Sequence, residues 1–254
     1  MRLLILAGGL GTRLREETEY KPKPMVEIGG HPILWHLMKI YASQGINDFV
    51  VALGYKGDVI REYFRDFEIR GQDIEFDLEN KTFEIKSSSY AEDWKVTLVE
   101  TGPLTMTGGR LFRSRSYLNK ETFMCAYGDG LADINISKLL EFHRSHGKIA
   151  TVTASAPVSR FGKLEITESG SVTSFIEKPK QDSWVNAGFF VFEPAIFEYL
   201  NEDSILEREP LEKLVGDGQL VAYKHEGFWQ PMDTLREAEI LNEVWNEGAP
   251  WKIW

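Results

Sequence analysis

The chain has 254 residues, 43% of them hydrophobic and 12% aromatic, enough to bury a core in one large α/β domain or two small ones. Its 29 basic and 39 acidic residues give a formal charge of −10, which argues against a nucleic-acid surface and requires any anionic ligand to be met by cations placed locally. No apolar run approaches the roughly 20 residues of a membrane helix, and the single cysteine, Cys125, allows no internal disulfide, so a reducing cytoplasm is the expected location.

Leu3 to Leu6 predicts a short apolar strand, and Gly8, Gly9, Gly11 and Arg13 break the run before a signal-peptide core could form. Ile33 to Gln44 predicts an amphipathic helix and Phe49 to Leu53 the next strand, a βαβ opening. Two alternating stretches flank Glu79-Asn80-Lys81-Thr82 and predict a small β-hairpin inserted around 73–86. Thr107 to Tyr117 reads as helix and Phe123 to Tyr127 as a buried strand that holds Cys125 as a structural thiol. A helix follows at Ile136 to His146 and a strand at Ala150 to Ser155, then short strands between Lys163 and Phe192 and a last helix from Thr234 to Asn246. Strands alternating with helices of this length imply an α/β fold, a Rossmann-like three-layer αβα arrangement with a mostly parallel mixed central sheet. With no repeat or flexible linker, residues 1–254 are expected to form a single domain.

Gly8-Gly9-Leu10-Gly11-Thr12-Arg13-Leu14 follows the first strand. Closely spaced glycines there let backbone N–H groups reach phosphate oxygens, although a plain structural turn has the same composition. The loop fits neither dinucleotide nor P-loop grammar, since position 14 is leucine and no Gly-Lys-Ser/Thr closes it. Asp129, in Tyr127-Gly128-Asp129-Gly130, falls at the carboxyl end of an apolar strand, the ligand-binding edge of an open α/β sheet. A tight Gly-Asp-Gly turn would look the same. Asp233 stands just before the last helix, as a helix cap or as a ligand. Pro179 biases Lys178 towards an extended backbone at a strand end.

The glycine loop followed by Lys21-Pro22-Lys23-Pro24-Met25 resembles the nucleotide-binding signature of sugar nucleotidylyltransferases, and the similarity continues through Pro24 to Gly30, Met106 to Leu111 and Gly227 to Arg236. The resemblance implies that Leu6, Ala7, Gly8, Gly9, Gly11 and Thr12 wrap the nucleotide, that Arg13 and Lys23 are the catalytic cations, and that Thr107, Gly109 and Arg110 lie near the base. It further implies that Asp129 and Asp233 bind Mg2+ and that Glu177, Lys178, Asn186 and Gly188 hold the sugar phosphate. The chemistry is consistent: a guanidinium suits bidentate phosphate contact, an ammonium acts as a compact charge, and magnesium takes few carboxylates. Asp133 either supports the metal ligands or, as the favoured reading, is only a surface carboxylate, and Lys21 is equally a phosphate ligand or a surface cation.

Within that family the chain is most similar to members that use CTP and glucose 1-phosphate. Cytidylyl transfer to glucose 1-phosphate, releasing pyrophosphate, is therefore the implied reaction. Another base or sugar, or a non-catalytic nucleotide-sugar-binding relative, are the alternatives. None of the five His falls in these motifs, so the enzyme is expected to position and neutralise rather than to use imidazole acid–base chemistry. A homo-oligomer with no nucleic-acid or membrane partner is expected.

Overall fold

The computed structural model describes residues 1–86, 92–118, 120–157, 161–177 and 183–254. Seven strands form the central sheet: β1 (Leu3–Leu6), β2 (Asp48–Leu53), β3 (Lys95–Glu100), β4 (Phe123–Tyr127), β5 (Ala150–Ser155), β6 (Val185–Phe192) and β7 (Leu220–His225). Their spatial order is β7-β5-β6-β4-β1-β2-β3. All neighbouring pairs are parallel except those of β6, which runs antiparallel to both β5 and β4. The sheet is therefore mixed and mostly parallel.

All four residues of β1 are buried, and the period of two along the strand divides them between two cores. Leu3 and Ile5 pack with Leu34, Leu37 and Met38 of α1 (Ile33–Ala42) on one face. Leu4 and Leu6 pack with Leu111, Phe190 and Leu214 on the other. A strand buried on both sides needs cover on both sides, and that requirement produces the three layers. The other longer helices are α2 (Gly57–Arg65), α3 (Thr107–Arg113), α4 (Ile136–His146), α5 (Glu209–Gly216) and α6 (Leu235–Glu247). Among the described residues, no helix is long and apolar enough to cross a membrane.

The helix expected over 107–117 is α only to Arg113, and a 3-10 turn completes it from Arg115 to Tyr117. The predicted hairpin is present as Ile74–Asp77 paired with Thr82–Ile85, Phe76 opposite Phe83. A second hairpin joins Lys163–Ile166 to Val172–Ile176. β3, β7, α2 and α5 carry weaker sequence signals: β3 buries only Val99 fully and α5 only Pro210 and Leu214. Cys125 is buried and free, and burial pushes its thiol pKa up, which suits the structural role.

Candidate active site

β1 ends at Leu6, and the chain leaves the sheet at its carboxyl edge as the glycine loop. Residues 6–13 line a cleft of about 510 Å³ together with residues 103–107 and Arg110, and with Lys23, Tyr127, Asp129 and Asp233. Gly11 takes φ +61, and a Cβ there would stand 2.8 Å from Thr18 Cγ2, so the turn requires glycine. Of the residues expected to wrap the nucleotide, Leu6, Ala7, Gly8, Gly9, Gly11 and Thr12 all reach the cleft.

Arg110 lies beneath the loop. Its Nη1 donates to the carbonyls of Leu53 and Gly102 at 2.8 Å each and to Thr101 Oγ1 at 2.7 Å, and its Nη2 donates to the Gly8 carbonyl at 2.8 Å. A Cβ on either Gly8 or Gly54 would come within 2.2 Å of Nη1, so both glycines make room for the guanidinium. Burial lowers the Arg110 pKa, and nearby Glu100 offsets part of that. The residue placed near the base by resemblance thus anchors the loop from below. Thr107 lines the cleft and donates to Glu207 Oε2 at 2.6 Å. Gly109 is not part of the lining: its N–H donates to the Ser204 carbonyl at 2.9 Å, and a Cβ would meet the Glu202 carbonyl at 2.2 Å. It serves the close approach of segment 202–204.

The charged centre assembles on Lys23, held on a 3-10 turn between Pro22 and Pro24. Lys23 Nζ donates to Asp129 Oδ2 at 2.6 Å and to Asp233 Oδ1 at 2.5 Å, and Arg13 Nη2 lies 3.0 Å from the same Asp233 oxygen. Burial pulls the Lys23 pKa down, but the charge of Asp129 and hydrogen bonds to both aspartates outweigh it, so the pKa is raised and the ammonium stays charged. Lys21 is outside this cluster and pairs with Glu17 at 3.3 Å.

Local structure explains how the two aspartates meet. Gly128 N–H donates to the Leu6 carbonyl at 3.1 Å, which brings the end of β4 against the end of β1. Trp229–Pro231 pairs antiparallel with Gly130–Ala132, and Met232 N–H donates to the Asp129 carbonyl at 2.8 Å, which fixes the register of Asp233 against Asp129. The cap of α6 is Thr234, in a capping box with Glu237, so the Asp233 carboxylate is released from the helix. Asp133, expected as a surface carboxylate, is partly buried, with Oδ1 3.0 Å from His225 Nε2.

Two carboxylates that already share one ammonium are close enough to share a divalent cation. Their donors are all oxygen, which suits Mg2+, a hard ion that keeps several waters and takes substrate oxygens. Among the described residues there is no group of three or more His, Cys, Asp or Glu side chains around a common point, so a metal here would complete its shell from outside the protein.

On the other flank, Gly188 of β6 has φ +82, and a Cβ there would stand 2.4 Å from Tyr127 Cδ2. Asn186 accepts from Gly188 N–H at 2.8 Å and donates to the Tyr127 hydroxyl at 3.2 Å. These two expected sugar-side residues therefore shape the Tyr127 wall of the cleft. Glu177 is exposed beyond Val172–Ile176 and is not part of the described lining, and Lys178 lies outside the described residues. Sequence reasoning gave no role to Tyr127 or Glu207. The hydroxyl of Tyr127 donates to Glu207 Oε1 at 2.5 Å across 80 positions of chain, a pairing with no local signal.

The family model described as nucleotidyl transferase matches residues 2–234. The chain is 51% identical over 258 residues to the glucose-1-phosphate cytidylyltransferase of Salmonella typhi, covering 100% of both. It is 45% identical over 257 residues to a probable glucose-1-phosphate cytidylyltransferase of Bacillus subtilis (strain 168), again covering 100% of both. The crystal structure of HddC from Yersinia pseudotuberculosis shares the fold, with a TM-score of 0.70 at 24% identity over 96% of this chain and 99% of that one. The chain belongs to the nucleotidyl transferase family and is similar from end to end to its glucose-1-phosphate cytidylyltransferases.

Proposed function

We propose that this nucleotidyltransferase moves the cytidylyl group of CTP onto α-D-glucose 1-phosphate, giving CDP-glucose and pyrophosphate. The choice of substrates is supported by the full-length similarity to glucose-1-phosphate cytidylyltransferases. The chemistry is carried by one geometric observation, the convergence of Lys23, Asp129 and Asp233 in the cleft under the glycine loop.

The glycine loop would take the nucleotide with its backbone N–H groups, while Arg13 and Lys23 turn from aspartate to phosphate oxygens as the triphosphate arrives. Asp129 and Asp233, released from Lys23, would hold Mg2+, which when bound supplies charge neutralisation at the phosphates. A phosphate oxygen of glucose 1-phosphate attacks the α-phosphorus in line and pyrophosphate leaves, so the protein needs no nucleophile of its own. Its contribution is position and fixed positive charge. Glu177 and Lys178 are proposed to hold the sugar phosphate beside Asn186 and Gly188. The proposal includes a cytoplasmic location, where the Cys125 thiol stays reduced, and a homo-oligomer.

Pyrophosphate release measured across CTP, UTP, dTTP, ATP and GTP with several sugar 1-phosphates tests the assignment. Turnover is expected to be fastest with CTP and glucose 1-phosphate. Equal or better use of UTP or dTTP overturns the cytidylyl reading.

A further inference from the structure

Glu207 is held against two residues of the cleft lining, Tyr127 and Thr107. Each of its carboxylate oxygens accepts one hydroxyl: Oε1 from Tyr127 at 2.5 Å and Oε2 from Thr107 at 2.6 Å. Both hydroxyls have thereby committed their protons. The Thr107 oxygen is further engaged by the Leu206 N–H at 3.0 Å. The Tyr127 oxygen accepts from Asn186 Nδ2 at 3.2 Å and keeps acceptor capacity. The bond to Glu207 Oε1 fixes the direction of the Tyr127 O–H. Glu207 itself is exposed, and its carboxylate has lone pairs left over. This edge of the cleft offers hydrogen-bond acceptors and suits a ligand rich in hydroxyl donors.

The position selects which substrate that is. β4 lies between β1, which delivers the glycine loop, and β6, which delivers Asn186 and Gly188. In-line displacement puts the attacking oxygen opposite the departing pyrophosphate. With the triphosphate on the β1 side, the sugar phosphate enters from the β6 side, past Tyr127.

We propose that Glu207 is a specificity-determining residue for the acceptor sugar: by orienting the Tyr127 hydroxyl and adding its own oxygens, it receives a hydroxyl of the hexose 1-phosphate. The inference rests on the glucose 1-phosphate reading of the site. Atoms of the reaction itself are untouched by Glu207, so its effect falls on sugar binding and sugar choice.

The test is steady-state kinetics of wild type, Glu207→Gln and Tyr127→Phe with CTP, glucose 1-phosphate and a series of monodeoxy glucose 1-phosphates. Glu207→Gln keeps shape but brings an amide donor to the edge. Its KM for glucose 1-phosphate is expected to rise by about ten- to a hundredfold while its KM for CTP stays within about twofold. For one monodeoxy sugar, wild type is expected to lose activity by the same order, and the variant is expected to lose nothing further. A purely structural role for Glu207 would penalise every sugar alike. That result, an equal rise in KM for CTP, or no change at all overturns the proposal. Thermal melts confirm that Glu207→Gln folds, and Tyr127→Phe carries the same comparison if it does not. Wild-type turnover with CTP and glucose 1-phosphate reports on the function separately, and if another sugar 1-phosphate proves preferred, the deoxy series is built on that sugar.

Discussion

The guanidinium of Arg110 donates to the carbonyl of Gly8 at 2.8 Å, joining positions 102 residues apart and fastening the glycine loop to the sheet edge. The same group satisfies the carbonyls of Leu53 and Gly102. Arg110→Met would strip these buried acceptors of their donor, at a cost of about 2–4 kcal/mol, because an orphaned buried polar group loses its full desolvation free energy. Urea unfolding is expected to show that loss, together with a higher KM for CTP as the loop loosens. Unchanged stability with an altered base preference would instead place Arg110 against the base.

Gly188→Ala should be destabilising in two ways. A backbone at φ +82 is costly for any residue with a Cβ, about 1–3 kcal/mol, and the added carbon would press on the Tyr127 ring at 2.4 Å. The melting temperature is expected to fall and the KM for glucose 1-phosphate to rise more than that for CTP. A variant that melts like wild type with unchanged sugar kinetics contradicts this placement of the ring.

Lys23 links stability to alkaline pH. Its folded-state pKa is raised above the ordinary 10.5, so the stabilisation from its ion pairs is complete below that value and is lost as pH climbs through the higher folded value. The stability gap between wild type and Lys23→Met, measured by denaturant titration in chelator so that no metal substitutes for the ammonium, is therefore expected to be constant from neutral pH to about pH 9 and to shrink above 10.5. A gap that does not change with pH would mean that packing of the side chain, and not its charge, holds the aspartates together.

What the sequence could disclose follows from how local each signal is. β1 and β4 were legible because a strand buried on both faces is an unbroken apolar run, and the glycine loop because Gly8 and Gly11 have no room for a side chain. Asp233 was ambiguous because Asp233 and Thr234 can both cap a helix, and only the reciprocal bonds between Thr234 and Glu237 decide which one does. Apart from the Thr101 hydroxyl, the partners given for Arg110 are backbone carbonyls on three separate segments, and backbone acceptors leave no mark on residue choice. The Tyr127–Glu207 contact joins a strand end to a loop before α5 across 80 residues, information that exists only once the layers have packed.

The convergence of Asp129 and Asp233 on one cation is the centre of the account, and their conversion to asparagine tests it most directly. Asp129→Asn and Asp233→Asn keep shape and hydrogen-bonding capacity but remove the anionic donors that a magnesium–phosphate site requires. With CTP, glucose 1-phosphate and Mg2+, each variant is expected to form CDP-glucose at least about a hundred- to a thousandfold more slowly than wild type, with the fold intact by circular dichroism. Wild type should fall silent in chelator and recover when Mg2+ is returned. Turnover of both variants within a few-fold of wild type, with metal still required, would remove these aspartates from the reaction.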